Sequence, residues 1–241
     1  MRIFAKTDKG IIRTDNQDAY INGTLSDGAV YAVVCDGMGG VSGGNVASDI
    51  AVKAIKEEIF KKYTENLSDT QIRRLYIDAI DIANSIIYEI ASKEKTLTGM
   101  GTTVVAVLIK NNIAHILHAG DSRAYIIADN NIRQLTKDHS YVQDMVDMGQ
   151  LTSEEAKRHP KKNIITRAIG IEKNIDVEYT NIAFNKNDIL LICTDGLTNH
   201  VDDNEIFKII QEGADGACDK LIAKAKSLGG SDNITIVLIT D

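Results

Sequence analysis

Four aspartates stand at the ends of short apolar runs that are rich in β-branched residues: Asp36, Asp121, Asp195 and Asp232. Such runs are typical of buried strands, beside which a lone carboxylate is costly to remove from water. Divalent cations are the usual compensation where several acids converge with few bases near them in sequence. Asp36 and Asp195 each precede a glycine, which permits a tight turn and the close approach of a ligand. The four acids together therefore indicate a site for a hard divalent metal.

A simpler interpretation of the same residues stays open. Asp-Gly pairs also mark ordinary turns at strand ends. Spacing along the chain does not by itself bring the four carboxylates together in the fold.

The elements that must position these acids are predicted from periodicity. Apolar residues at intervals of three and four predict a helix from Asn45 to about Tyr63 and a second helix after a capping box at Ser68–Gln71, with further helices within 203–228. Strands are predicted at Ala29–Cys35, Thr102–Ile109, Ile113–His118, Ala124–Ile127, Asp176–Ile182, Ile189–Cys193 and Ile234–Thr240. Turns at 110–112 and 129–131 predict hairpins and hence antiparallel pairing. Because the helices cluster instead of alternating with strands, we expect an α+β fold.

Composition excludes several classes of protein. The chain has 241 residues and a net charge of -7, with no excess of cations to neutralise nucleic-acid phosphates. No apolar run has the roughly 18 residues that span a bilayer, and the first residues lack a signal-peptide pattern. The three cysteines form no CxxC pair, which suits a reducing compartment. We expect a single-domain, monomeric, cytoplasmic protein that does not bind nucleic acid.

Six short motifs resemble, in order and spacing, the metal-dependent protein phosphatase family (the type 2C Ser/Thr phosphatases) in its bacterial single-domain form. They are Arg13–Asp18, Val34–Gly40, Gly99–Thr103, Ala119–Arg123, Thr194–Leu197 and Ser231–Thr235. Each motif alone is weak, but the six in sequence are specific, and the similarity extends over essentially the whole chain. The resemblance implies a four-layer αββα sandwich, in which two antiparallel sheets lie between helices. It also implies a flap subdomain at about 140–170 within the single domain.

The resemblance also implies a set of metal ligands. By similarity, Asp36 bridges two Mn²⁺ or Mg²⁺ ions, the backbone carbonyl of Gly37 completes the shell of one ion, and Asp195 and Asp232 hold the other. Ions that share a water in this way acidify it for attack on phosphorus. Asp18 matches a residue that supports the metal-bound waters.

Arg13 matches the phosphate-binding arginine of the family, whose planar fork suits two phosphate oxygens. Its alternative is a surface ion pair with Asp15 or Asp18. Asp121 matches the acid that holds a third ion in bacterial members. Its alternative is a structural role, either a pair with Arg123 or the capping of a turn.

Three departures from the family pattern stand out, at Gln17, at Met38, and at Val41 and Gly43, where bacterial members commonly have a His-containing stretch after the Gly-Gly pair. Gln17 stands where many members have glutamate, so we expect weaker metal binding at one position and a preference for millimolar Mn²⁺. Met38 stands where eukaryotic members have the histidine that protonates the leaving oxygen, so the general acid has no candidate. We interpret the histidines at 115, 118 and 139 as packing or hydrogen-bonding residues, and Cys35 and Cys193 as small buried hydrophobes.

The resemblance thus implies a protein Ser/Thr phosphatase that acts on phosphorylated proteins and opposes a bacterial Ser/Thr kinase, itself a possible substrate. One alternative is the same chemistry on phosphotyrosine or a small phosphoester. Another is a catalytically silent module that recognises phosphorylated partners. Retention of Asp36, Asp195 and Asp232 together with Arg13 argues against the silent module, because recognition alone does not need all four.

Overall fold

The fold is built on two antiparallel sheets. The computed structural model describes the backbone of residues 1–241 and all side chains except those of residues 41 and 42. The first sheet runs in the order β1 (Arg2–Asp8), β11 (Ile234–Thr240), β10 (Ile189–Cys193), β7 (Arg123–Ala128) and β8 (Asn131–Gln134). The second runs in the order β2 (Asp18–Thr24), β3 (Val30–Met38), β5 (Val104–Lys110), β6 (Ile113–Ala119) and β9 (Glu178–Ala183), with the short β4 (Gly101–Thr102) paired to β3.

The helices lie outside the sheets. They are α1 (Gly40–Lys62), α2 (Asp69–Lys93), α3 (Tyr141–Asp147), α4 (Ser153–Arg158), α5 (Asp195–Thr198), α6 (Asp203–Gln211) and α7 (Ala217–Ser227), with a 3₁₀ turn at Lys95–Leu97. Among the described residues, none of these helices combines the length and the apolar character that crossing a bilayer requires.

Alternating side chains of the strands separate three apolar layers. On β3, Val34 packs between the two sheets, whereas the next residue, Cys35, faces α1 and α2. On β11, Val237 packs between the sheets and Leu238 faces α6 and α7. Because both faces of these strands are covered, they read in sequence as continuous apolar runs. The predicted α+β, four-layer αββα sandwich is confirmed.

Local sequence signals account for most element boundaries. The predicted capping box of α2 is present, with Ser68 and Gln71 each accepting from the other's backbone N–H. The hairpin turn at Asn111 and Asn112 is also present, with φ of 48° and 60°, left-handed values that asparagine tolerates. Helix α1 starts at Gly40, earlier than predicted. The Gly-rich stretch before Asn45 has little apolar periodicity, so the pattern did not reveal this first turn.

Two details of the predicted turns are wrong. Strand β3 continues through Asp36 and Gly37 to Met38, because β4 pairs with its end (Gly37 opposite Thr102). Asp195 does not sit in a turn either; it is the first residue of α5. The predicted strand at 102–109 is interrupted at Thr103, which lies between β4 and β5.

Residues 140–170 leave the sandwich between β8 and β9 and carry α3 and α4. Two isolated bridges tie the ends of this segment, Ser140 to Ile165 and Thr102 to Ile169. A capping box formed by Thr152 and Glu155 opens α4. That this segment acts as a flap subdomain stays a prediction.

Candidate active site

A cleft of about 510 Å³ opens where the ends of the two sheets meet. Its walls carry the four predicted aspartates, Asp36, Asp121, Asp195 and Asp232, together with Arg13, Gln17 and Gly37. Asp36 lies near the end of β3, and Asp121 lies in the β6–β7 turn. Asp195 is the first residue of α5, and Asp232 lies just before β11. The carboxylates therefore do converge, which the sequence could not establish.

The backbone of Asp36 is fixed by two adjacent threonines. Its N–H donates to the Thr103 hydroxyl (3.0 Å), and its carbonyl accepts from the Thr103 N–H (2.9 Å) and the Thr102 hydroxyl (2.9 Å). The Thr103 hydroxyl also pairs with that of Ser122 (2.8 Å), beside Asp121. Thr103 thus links two of the acid-bearing segments, a role that the sequence analysis missed.

Asp18 links the two sheets next to Asp36. It lies opposite Asp36 in the β2–β3 ladder, while its Oδ2 accepts from the hydroxyls of Thr194 (2.9 Å) and Thr235 (2.7 Å) on the other sheet. Its Oδ1 is buried and has no partner among the described side chains.

Asp195 shows the same division of its two oxygens. Its Oδ2 accepts from the amide of Asn199 (2.8 Å), one turn further along α5. Its Oδ1 is buried and has no partner within the described part of the chain. An unpaired buried carboxylate oxygen is costly unless a cation or an ordered water meets it. The anchored-and-free arrangement of Asp18 and Asp195 therefore fits the oxygen-ligand chemistry of Mg²⁺ or Mn²⁺.

The pKa values describe the same crowding of charge. Burial, with help from the other carboxylates, raises the pKa of Asp18 to about 7 and that of Asp195 to about 6. Burial and neighbouring acids also raise the pKa of Asp36 and of Asp121 well above the usual range. Such groups favour either protons or a compensating cation.

Arg13 contacts Asp232 at the mouth of the cleft. Its guanidinium donates to Asp232 Oδ2 (2.9 Å), and the arginine side chain is 53% exposed. The alternative of an ion pair with Asp15 or Asp18 is therefore wrong in its partner. An exposed guanidinium beside the acids is available to an incoming anion.

The two glycines that follow Asp36 and Asp195 are explained by close packing. A Cβ on Gly37 would lie 2.1 Å from the carbonyl oxygen of Gly44, and one on Gly196 would lie 1.9 Å from that of Asn233. Neither glycine has a positive φ, so the expected tight turns are not the reason. The glycines let neighbouring backbone segments approach the acids.

The hydrogen-bond partners of Arg123 and Gln17 show where these two side chains lie relative to the cleft. Arg123 forms a two-pronged ion pair with Asp138 (2.8 and 2.7 Å), so the alternative that paired it with Asp121 is wrong. The Gln17 amide donates to the Gly40 carbonyl (3.0 Å), which places this side chain on the cleft wall next to the start of α1.

Asn233 is a further residue that the sequence analysis missed. Its amide donates to the carbonyls of Lys9 and Asp15 (both 2.9 Å), and its Oδ1 accepts from the N–H of Gln17 (2.8 Å). One side chain thereby holds the loop that carries Arg13 next to Asp232. Its position directly after Asp232 in a quoted motif was the only signal in the sequence.

Among the described side chains, no histidine lines the cleft, and Met38 is on its wall. The packing interpretation of the other groups holds. The His115 ring pairs with the Tyr179 hydroxyl (2.9 Å), and burial raises the pKa of both Cys35 and Cys193 far above that of a reactive thiol.

Comparison with known proteins gives a consistent assignment. The family model described as Protein phosphatase 2C matches residues 13–220. The serine/threonine phosphatase stp of Listeria welshimeri is 38% identical over 239 residues, covering 97% of this chain and 93% of that protein. The structure of the serine/threonine phosphatase Stp1 from Staphylococcus aureus superposes with a TM-score of 0.93 at 34% identity, covering 99% of this chain and 94% of that chain.

A further solved structure is the catalytic domain of the serine threonine protein phosphatase PstP in complex with 2 manganese ions. It gives a TM-score of 0.86 at 32% identity and covers 100% of this chain and 98% of that chain. The chain belongs to the protein phosphatase 2C family, and it is a protein phosphatase. The silent binding module is thereby set aside.

Proposed function

We propose that this phosphatase removes phosphate from phosphoserine and phosphothreonine in proteins with two Mn²⁺ or Mg²⁺ ions. Asp36, the Gly37 carbonyl, Asp195 and Asp232 hold the ions, and Arg13 binds the phosphate. The observation that carries this proposal is a pair of buried carboxylate oxygens, one on Asp195 in the acidic cleft and one on Asp18 opposite Asp36, that have no partner among the described residues. Relatives named serine/threonine phosphatases, one of them solved with 2 manganese ions, support it.

When bound, the two ions supply Lewis acidity and a nucleophilic water at neutral pH. The chain's own contribution is rigidity. Thr103 fixes the backbone of Asp36, and the Asn199 amide orients the Asp195 carboxylate so that its free oxygen stays available. Positioned charges of this kind need no reorganisation during the reaction.

Arg13 supplies the phosphate contact. Its guanidinium exchanges its single bond to Asp232 for two bonds to phosphate oxygens, which its planar fork matches. It neutralises charge as the phosphoryl group transfers. Met38 has no proton to donate, so the leaving oxygen takes its proton from water in the cleft.

The third-ion role of Asp121, the supporting roles of Gln17 and Asp18, and the action of residues 140–170 as a flap belong to the same proposal. So do a monomeric state and a partnership with a Ser/Thr kinase whose phosphoryl transfers this enzyme reverses. The three cysteines are free and buried, which supports a reducing, cytoplasmic setting.

The test is phosphate release from a phosphothreonine peptide after chelation, with Mn²⁺ or Mg²⁺ titrated back and Asp36→Ala as the control. We expect metal-dependent turnover that the control loses. A phosphotyrosine peptide and a small phosphoester run in parallel measure selectivity. Turnover that is independent of added metal, or equal in the Asp36→Ala variant, would rule out the proposed site.

A further inference from the structure

Outside the acidic cleft, one group of side chains has the composition of a metal site. His118, His139 and Glu178 bring one potential ligand atom each to within 4.8 Å of one another, and both histidines are buried. His₂Glu is a common zinc ligand set. The hydrogen bonds of these residues decide whether they can serve in that way.

Those hydrogen bonds exclude a metal in this arrangement. The N–H of Gly120 donates to His139 Nδ1 (3.1 Å), so the neutral ring carries its proton on Nε2. His118 Nε2 faces the Lys137 carbonyl (2.8 Å) and must also carry a proton. A protonated ring nitrogen cannot ligate, and the Arg167 guanidinium lies 3.3 Å from His139 Nε2.

The same bonds give His139 a different task. Besides accepting at Nδ1, His139 donates its backbone N–H to the Gly120 carbonyl (2.9 Å), so one residue satisfies both backbone groups of Gly120. Its Nε2 lies 3.0 Å from Glu178 Oε1, which fixes the tautomer that leaves Nδ1 free to accept.

Gly120 is also held from its other side. Its φ is +114°, and a Cβ there would lie 2.6 Å from Thr103 Cβ, the residue that fixes Asp36. Asp121 follows Gly120 directly and precedes Ser122, whose hydroxyl pairs with Thr103. Asp121 thus lies between two residues, Gly120 and Ser122, that are held by hydrogen bonds. Its own side chain forms no hydrogen bond with Arg123, which pairs with Asp138.

We propose that His139 is a positioning residue for Asp121: its imidazole, oriented by Glu178, locks Gly120 and so aims the Asp121 carboxylate into the cleft. This inference rests on the proposed function, because it takes Asp121 as a ligand of a third, weaker ion. His139 itself lies outside the cleft and touches neither phosphate nor metal.

Two amide variants of His139 distinguish a role in positioning Asp121 from a general contribution to folding. His139→Asn places an amide oxygen where Nδ1 lies and can still accept from Gly120, whereas His139→Gln places it nearer to Nε2 and cannot. The probe is Mn²⁺ alone, titrated into the chelated protein and followed by calorimetry and by electron paramagnetic resonance of free Mn²⁺. Melting temperatures in chelator establish that both variants fold.

We expect His139→Gln to weaken the weakest Mn²⁺ binding step by about tenfold, the scale typical of groups that orient metal ligands, and to leave the tighter steps unchanged. His139→Asn should stay within about threefold of the parent. Asp121→Asn should remove the weakest step. Equal binding by the parent and His139→Gln, or equal losses in both histidine variants, would overturn the proposal.

A second pair keeps the test decisive if either histidine variant fails to fold. Glu178 is 46% exposed, so Glu178→Gln and Glu178→Met both replace it without opening the core. Glu178→Gln can still accept from Nε2 and should bind Mn²⁺ like the parent, whereas Glu178→Met should weaken the last step. Two tight steps without a third would overturn this inference alone; absence of the tight steps would overturn the proposed function.

Discussion

The Asp36 carboxylate lies across the β2–β3 ladder from Asp18, and the two carry like charge. Directly opposed like charges destabilise a sheet unless a cation meets them. The negative charge that suits Asp36 to a metal thus lowers the stability of the folded chain in chelator.

Asp36→Asn should therefore change activity and stability in opposite directions. The amide keeps the shape but removes the charge, so we expect phosphatase activity to fall by about a thousandfold, as when a single preorganised electrostatic group is lost. Unfolding in chelator at pH 7.5 should require about 1 kcal/mol more than for the parent. Urea titration beside a peptide assay measures both, and a variant that is less stable in chelator would contradict this account.

Gln17 offers a second test at a single position. Gln17→Glu adds a charge to the cleft wall and loses the bond to the Gly40 carbonyl. We expect the Mn²⁺ concentration for half-maximal activity to fall about threefold, because the added charge attracts the ions. Gln17→Ala loses the same bond without adding charge, so its Mn²⁺ requirement should equal that of the parent; a shared shift would assign the effect to the lost bond.

The residues with chemistry were accessible from the sequence because their types are costly in a core. The aspartates can be identified because they directly flank apolar runs. Asn233 and Thr103 do not, because their importance depends on which backbone groups other segments bring to them. A polar residue that serves the backbone is ordinary in composition, so only the fold identifies it.

At the scale of elements, the buried strands and the partly buried β9 were predictable from the sequence, whereas β1, β2 and β8 were not. Strands β1, β2 and β8 mix polar and apolar residues, because β1, β2 and β8 lie at sheet edges and are only partly buried. The interruption between β4 and β5 could not be predicted from the sequence either, since Thr102 and Thr103 have good β propensity. That interruption is what presents the two threonines to Asp36.

A matched pair of substitutions tests the interruption. Thr103→Val removes a buried hydroxyl that accepts from Asp36 and pairs with Ser122, so we expect a loss of about 2 kcal/mol in stability and a weaker response to Mn²⁺. Thr240→Val is the control, because the Thr240 hydroxyl is buried on β11 and none of the described residues forms a hydrogen bond with it. It should be neutral or stabilising. Equal destabilisation by both would show that the Thr103 hydroxyl has no special role.

For the whole molecule, the acid cluster links folding to pH. Burial raises the pKa of Asp18 to about 7 and that of Asp195 to about 6 in the folded chain, against about 4 for an unfolded aspartate. Between pH 4 and 7 these two carboxyl groups therefore bind more protons in the folded state than in the unfolded state. The stability that these two groups contribute is complete below pH 4 and is lost as the pH rises through their folded values.

We therefore expect the free energy of unfolding in chelator to fall by about 4 kcal/mol between pH 5 and 7.5. Saturating Mn²⁺ should reverse the slope, because ligation needs deprotonated carboxylates and binds only the folded state. Urea unfolding at several pH values, with chelator or with Mn²⁺, measures both slopes. Asp18→Asn serves as the control, since it should flatten the chelator curve by removing the group with the higher of the two values. A parent whose stability in chelator rises from pH 5 to 7.5 would mean that these carboxylates are not buried together in the folded chain. The cleft would then not be the preorganised cation site inferred from its geometry.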